Sequence, residues 1–157
     1  MPLTPSLCVA DLMRPEPVVV ALSLPASEVA TIMQETRMRH VFVVDDAGAL
    51  VGLVNRARLL RHLIARRLTD DQVPDLPVGD LIVRDLVTTH PDAPLAEALC
   101  LMRRYGVGSI PVVEHGRLTG LLSERMLLDY AEAVICEGSA PRGEPVGAEH
   151  AEPVAAH

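Results

Sequence analysis

HVFVVDDAGALVGLVNRARLL, residues 40–60, returns further along the chain as SIPVVEHGRLTGLLSERMLL, residues 109–128. Val43-Val44 corresponds to Val112-Val113, Gly52 to Gly120, and Leu59-Leu60 to Leu127-Leu128. One copy can be read physically. Residues 41–45 are rich in β-branched and aromatic side chains, the composition of a buried strand. Asp46-Ala47-Gly48 supplies a turn, because glycine takes positive φ without a Cβ clash. Residues 50–54 form the partner strand of a hairpin. Asn55 then caps a helix by accepting an orphan N–H of its first turn. In the second copy His115-Gly116 makes a turn one residue shorter, and Ser123 takes the capping position. Self-similarity over so long a unit predicts one supersecondary element used twice.

The repeat extends outward from the hairpins. Val9-Ala10-Asp11-Leu12-Met13 is echoed by Val78-Gly79-Asp80-Leu81-Ile82. Asp11 and Asp80 are 69 residues apart, as are Met33 and Met102; Gly52 and Gly120 are 68 apart, as the shorter second turn requires. Residues 18–21 and 87–90 are short strand candidates. Pro25 opens a helix with Val29, Ile32, Met33 and Thr36 on one face. Pro94 opens its counterpart, with Leu95, Ala98, Leu99, Met102 and Tyr105. Proline suits a first helical turn, where its missing N–H costs nothing, and the helical spacing makes Met33 and Met102 core residues. After the first hairpin, Leu60, Leu63, Ile64 and Leu68 share a helix face, with Arg56, Arg58, Arg61, Arg66 and Arg67 dispersed around it. The last helix carries Leu127, Leu128, Ala131, Val134 and Ile135. The expected order in each copy is helix, strand, helix, strand, strand, helix, an α/β fold of the α+β kind. The expected organisation is a first domain over 8–68, a polar linker over 69–77 and a second domain over 78–136. A loose arm precedes them, and a disordered tail follows over 137–157, where Gly, Pro, Ala and Glu show no periodicity.

Composition narrows the function. The chain has 157 residues, 49% hydrophobic but only 2% aromatic, so its core is aliphatic. A net charge of −7 argues against non-specific nucleic-acid binding. Cys8, Cys100 and Cys136 are scattered and odd in number, which reads as buried thiols in a reducing compartment. No apolar run approaches the roughly 20 residues of a membrane span, and no signal-peptide pattern opens the chain. The expectation is a soluble, cytoplasmic protein. No catalytic constellation appears: the six histidines show no metal-ligand spacing, and there is no phosphate loop or nucleophile elbow. The chain reads as non-enzymatic, with no metal and no cofactor.

The doubled unit, with Ile110-Pro111-Val112-Val113, Gly120-Leu121-Leu122-Ser123 and their counterparts Arg39-His40-Val41 and Gly52-Leu53-Val54-Asn55, resembles the CBS domain, named after cystathionine beta-synthase. The resemblance covers residues 8–136. It implies a stand-alone Bateman module, two CBS domains packed as a pseudo-twofold pair with two clefts between the lobes. It also implies a regulatory role, binding AMP, ADP, ATP, S-adenosylmethionine or another phosphate-bearing ligand and signalling to an unidentified partner protein, with pairing into a disc-shaped homodimer. The alternative is a degenerate pair serving only as an interaction scaffold. The resemblance places the base against the first strand and the start of the hairpin, near Val20, Val41, Thr88, Ile110 and Pro111. It places phosphates near Arg39, His40 and Ser109, and the ribose near Asn55, Ser123 and the residue three positions after each. That residue is an Asp in the family and is Arg58 or Met126 here. An arginine accepts no hydrogen bond and a thioether accepts only weakly. Losing hydrogen bonds to a carboxylate costs about 1.5–3 kcal/mol, roughly ten- to hundredfold in affinity. If Arg39 and Arg58 converge, they make a guanidinium pair suited to phosphate. Copy two, with Gly108 and Ser109, offers no such cation.

Overall fold

The computed structural model describes residues 6–70 and 72–138. The first copy runs α1 (Val9–Leu12), β1 (Arg14–Pro15), β2 (Val19–Ala21), α2 (Ala26–Thr36), β3 (His40–Val44), β4 (Leu50–Asn55) and α3 (Arg56–Leu68). The second runs through a 3-10 turn (Val78–Asp80), α4 (Leu95–Tyr105), β5 (Ser109–Glu114), β6 (Arg117–Ser123) and α5 (Glu124–Gly138). Local chemistry sets the boundaries. Pro25 and Pro94 occupy the N-caps of α2 and α4. Asn55 Oδ1 accepts from the Arg58 N–H at 2.8 Å, and Ser123 Oγ from the Met126 N–H at 3.4 Å. Both helices that precede a hairpin end on a left-handed residue, Gly106 in α4 but Arg37 in α2. His115 and Gly116 both take positive φ, as a two-residue hairpin turn demands.

Two three-stranded sheets result, β2-β3-β4 and β1-β6-β5. In the first, β2 runs parallel to β3 over three residue pairs. The strand expected over 87–90 is reduced to one parallel bridge, Thr89 to Val112. Two prolines account for this. Leu22 donates to Val44 O at 3.0 Å, but its counterpart is Pro91; Phe42 is likewise replaced by Pro111. Neither proline has an N–H to extend the ladder.

The two cores do not coincide with the two copies. Val78, from the start of copy two, is buried with Val20, Val29, Met33, Val41 and Leu59 of copy one. Val9, from the start of copy one, is buried with Ala98, Met102, Ile110, Val112 and Leu122 of copy two. Backbone hydrogen bonds repeat the exchange: Val9 N–H donates to Ala93 O at 2.9 Å, and Val78 N–H to Leu24 O at 2.8 Å. The segments then cross the other copy's hairpin, Arg14 against Leu121 in β6 and Val83 against Leu53 in β4. This explains the repeated glycine. A Cβ on Gly52 would lie 2.5 Å from Val83 O, and one on Gly120 would lie 2.7 Å from Met13 Sδ. The linker is strapped down as well. Asp75 accepts from the Ser27 hydroxyl, Arg66 Nε donates to Val73 O, and the Leu76 N–H donates to His62 Nε2.

Several expectations are corrected. Met33 and Met102 are core, but Leu99 and Tyr105 are exposed. In α3 only Leu59 is buried; Leu60, Ile64 and Leu68 face outward. Cys100 and Cys136 are exposed and Cys8 is half-buried, so the thiols are not core residues. Helix α5 continues to Gly138, and the rest of the expected tail, like residues 1–5, lies outside the described residues. No helix among the described residues is long and apolar enough to cross a membrane.

Candidate functional site

The residues just before each hairpin form two equivalent corners. In copy one, Arg39 O accepts from the Arg56 N–H at 2.8 Å; in copy two, Gly108 O accepts from the Glu124 N–H at 2.9 Å. These bonds hold each corner against the first turn of the following helix. The corners meet across the pseudo-twofold axis. Arg39, His40 and Asn55 from one side and Val107, Gly108 and Ser109 from the other, with Leu53 between, line an open cavity of about 330 Å³. Because Asn55 Oδ1 is committed to capping, its amide nitrogen is the group left to donate into this space.

A second cavity, of about 450 Å³, shares Arg39 and Asn55 and continues along α3 past Arg56, Ala57, Leu60 and Arg61. In copy two a cavity of about 390 Å³ is lined by Leu99, Glu124, Leu127 and Leu128; its counterpart in copy one, lined by the equivalent Ala30, Arg56, Leu59 and Leu60, encloses about 200 Å³. Arg56 and Glu124 occupy equivalent positions, so the two sides are electrostatically opposed. A Cβ on Gly108 would lie 3.7 Å from the Glu124 carboxylate.

The structure brings together Arg39, His40, Asn55 and Ser109. It does not bring Arg58 to Arg39. Arg58 lines neither cavity, and its guanidinium reaches Ile82 O at 3.4 Å. The arginines that share a cavity with Arg39 are Arg56 and Arg61, which the sequence reading left among the dispersed charges. Arg56 had a legible signal, since it directly follows the helix cap. Val20, Val41 and Ile110 point into the cores, and Pro111 is buried, so these residues offer a ligand backbone at most. Thr88 is exposed and lines neither cavity, while its neighbour Thr89 is the buried residue, at 6% exposure, with no partner for its hydroxyl. Ser123 sits opposite Ser109 in the hairpin register and caps α5.

His40 is half-buried, its ring edge-on to Phe42 at 5.7 Å. Desolvation lowers its pKa below the usual 6.5, so it is neutral at pH 7 and gains charge only below its ordinary range. Among the described residues, no group of three or more His, Cys, Asp or Glu is placed to hold a metal ion.

The sequence model of the CBS domain matches residues 9–65 and 78–133, both copies. The chain belongs to the CBS domain family. Its fold is that of solved CBS pairs. CBSX2, crystallised with AMP, superposes with a TM-score of 0.69 at 24% identity, covering 82% of this chain and 98% of that one. The CBS domain pair of protein MJ0100, crystallised with 5-methylthioadenosine and S-adenosylmethionine, gives a TM-score of 0.64 at 21% identity, covering 80% and 99%. An A-adding tRNA nucleotidyltransferase of Aquifex aeolicus is 30% identical over 126 residues, which is 80% of this CBS pair and 14% of that enzyme.

Proposed function

We propose that this CBS pair is a non-enzymatic regulatory module. It takes an adenosine-type or other phosphate-bearing ligand between its two domains, works as a homodimer, and signals occupancy to a partner protein. The observation that carries this reading is the cavity where the two pre-hairpin corners meet, with Arg39, His40 and Asn55 on one side and Val107, Gly108 and Ser109 on the other, and with the Glu124 carboxylate beside Gly108. A ligand with a phosphate at one end fits that polarity, its anionic end toward Arg39. The complexes of CBSX2 and of the MJ0100 pair support an adenosine-bearing ligand; AMP, ADP, ATP and S-adenosylmethionine are the candidates. The domains we propose are 8–68 and 78–136, each core including the other copy's leading segment.

Calorimetric titration tests the reading. AMP should bind at least about tenfold tighter than adenosine, the size expected for one charge-assisted contact, and Arg39→Ala should remove most of that difference. Equal binding of adenosine and AMP would overturn the anionic reading. The second reading, a scaffold without a small-molecule ligand, is favoured by Arg58 and Met126 at the family's ribose carboxylate position. It predicts that none of the candidates raises the melting temperature, whereas a ligand bound only by the native state raises it.

A further inference from the structure

Four hydrogen-bond donors line the corner cavity: the Arg39 guanidinium, the His40 ring, the Asn55 amide nitrogen and the Ser109 hydroxyl. Three of them keep their charge across the neutral range, and only His40 changes its own there. Among the described residues its ring nitrogens have no hydrogen-bond or ion-pair partner, and its one ring contact is the edge-on packing against Phe42. The charges around it come from several elements. Arg37 and Arg39 precede it on the chain, and Arg56 opens α3, tied to the corner through its bond to Arg39 O. Across the cavity, Glu124 begins α5 beside Gly108. Strand β4 places the uncharged Asn55 opposite His40, and the segment entering β2, on the other side of β3, carries the exposed Glu16. Neither acid pairs with His40, and burial holds its pKa below the usual 6.5.

A phosphate in the cavity reverses that balance. An opposite charge within about 4–6 Å favours the charged form of a titratable group, and a charged N–H bond to phosphate is roughly twice as strong as a neutral one. We infer that the cavity takes up its phosphate together with a proton, carried by His40, so that occupancy reports acidity as well as ligand concentration. The proposal rests on the phosphate-ligand reading above and adds its regulation. Linkage fixes the sign. The ligand-bound form holds the proton more tightly than the free form, so affinity rises as the pH falls through the two His40 pKa values and levels off on either side of them. Arg39 cannot supply this dependence, since a guanidinium stays charged throughout. At the equivalent corner of copy two, Gly108 and Ser109 replace Arg39 and His40, so the pairing of a fixed cation with a titrating one occurs at one corner only.

Calorimetric titration with AMP in two buffers of different ionisation enthalpy measures the protons taken up on binding. At about pH 7, wild type should take up a larger fraction of a proton per AMP than His40→Asn does. The ratio of wild-type to His40→Asn affinity should grow at least about fivefold between about pH 9 and about pH 5.5; the phosphate's own protonation, near pH 6, cancels from that ratio. As a readout without substitution, the His40 ring resonances should titrate to a higher pKa with AMP bound than without. Equal proton uptake in the two proteins, or a His40 titration unmoved by bound AMP, would overturn the linkage and leave the phosphate reading intact. Absence of heat with both AMP and ATP would overturn that reading itself, and the linkage with it.

Discussion

Thr89 occupies the position that Val20 holds in copy one, and it is buried with its hydroxyl unpaired. An orphan hydroxyl in an apolar site costs about 1–3 kcal/mol. Thr89→Val, which keeps the shape, should therefore raise stability by about 1 kcal/mol or more, read as a higher denaturation midpoint with unchanged slope. A fall would show that an unseen partner satisfies the hydroxyl. Gly52 behaves oppositely. Its absent Cβ is the space through which Val83 passes, and the atom in the way is backbone, so Gly52→Ala should cost about 1–3 kcal/mol through overpacking. His40 introduces a pH dependence. Its pKa is lowered by burial, so below about pH 6.5 the unfolded chain takes up the proton more readily than the folded one. Stability contributed by neutral His40 is complete above that pH and is lost as the pH falls toward its depressed folded value. Melting temperature should drop more steeply on acidification in the wild type than in His40→Asn. Parallel curves would contradict the desolvation.

At the scale of elements, the exchanged leading segments tie each copy to the other's core. Truncating a buried valine removes apolar surface and leaves a void, worth about 1–3 kcal/mol. The location of the damage is the sharper expectation. Val9→Ala should raise amide hydrogen exchange first in α4, β5 and β6, whose core it fills, and Val78→Ala in α2, β3 and β4. Damage confined to each valine's own copy would contradict the crossed arrangement. The same crossing makes each copy expressed alone incomplete, because it would lack the segment that seals its sheet.

At the scale of the molecule, the outward apolar stripes of α3 and α5 are more than an isolated lobe pair needs in water. Light scattering at micromolar concentration should give about twice the 16.9 kDa chain mass, and the melting temperature should rise with protein concentration, since association stabilises only the folded form.

What the sequence determined by itself was everything set by neighbours along the chain. The hairpin-helix unit written twice, the caps at Asn55 and Ser123, the paired prolines before α2 and α4, and the buried Met33 and Met102 all follow from local periodicity, capping and backbone freedom. The shortened first strand of copy two was also present in the sequence, as Pro91 and Pro111, but it becomes legible only when the ladder partners are known. Tertiary structure alone decided which leading segment fills which core, which face of α3 meets solvent, and that Arg39 shares its cavity with Arg56 rather than Arg58. The physical reason is the repeat itself. Val9-Ala10-Asp11-Leu12 and Val78-Gly79-Asp80-Leu81 present nearly the same local pattern, so no local rule assigns either to its own core or the other. That choice is made by packing between residues far apart along the chain, Val9 with Ala98 to Leu122 and Val78 with Val20 to Leu59, and the site inherits its geometry from it.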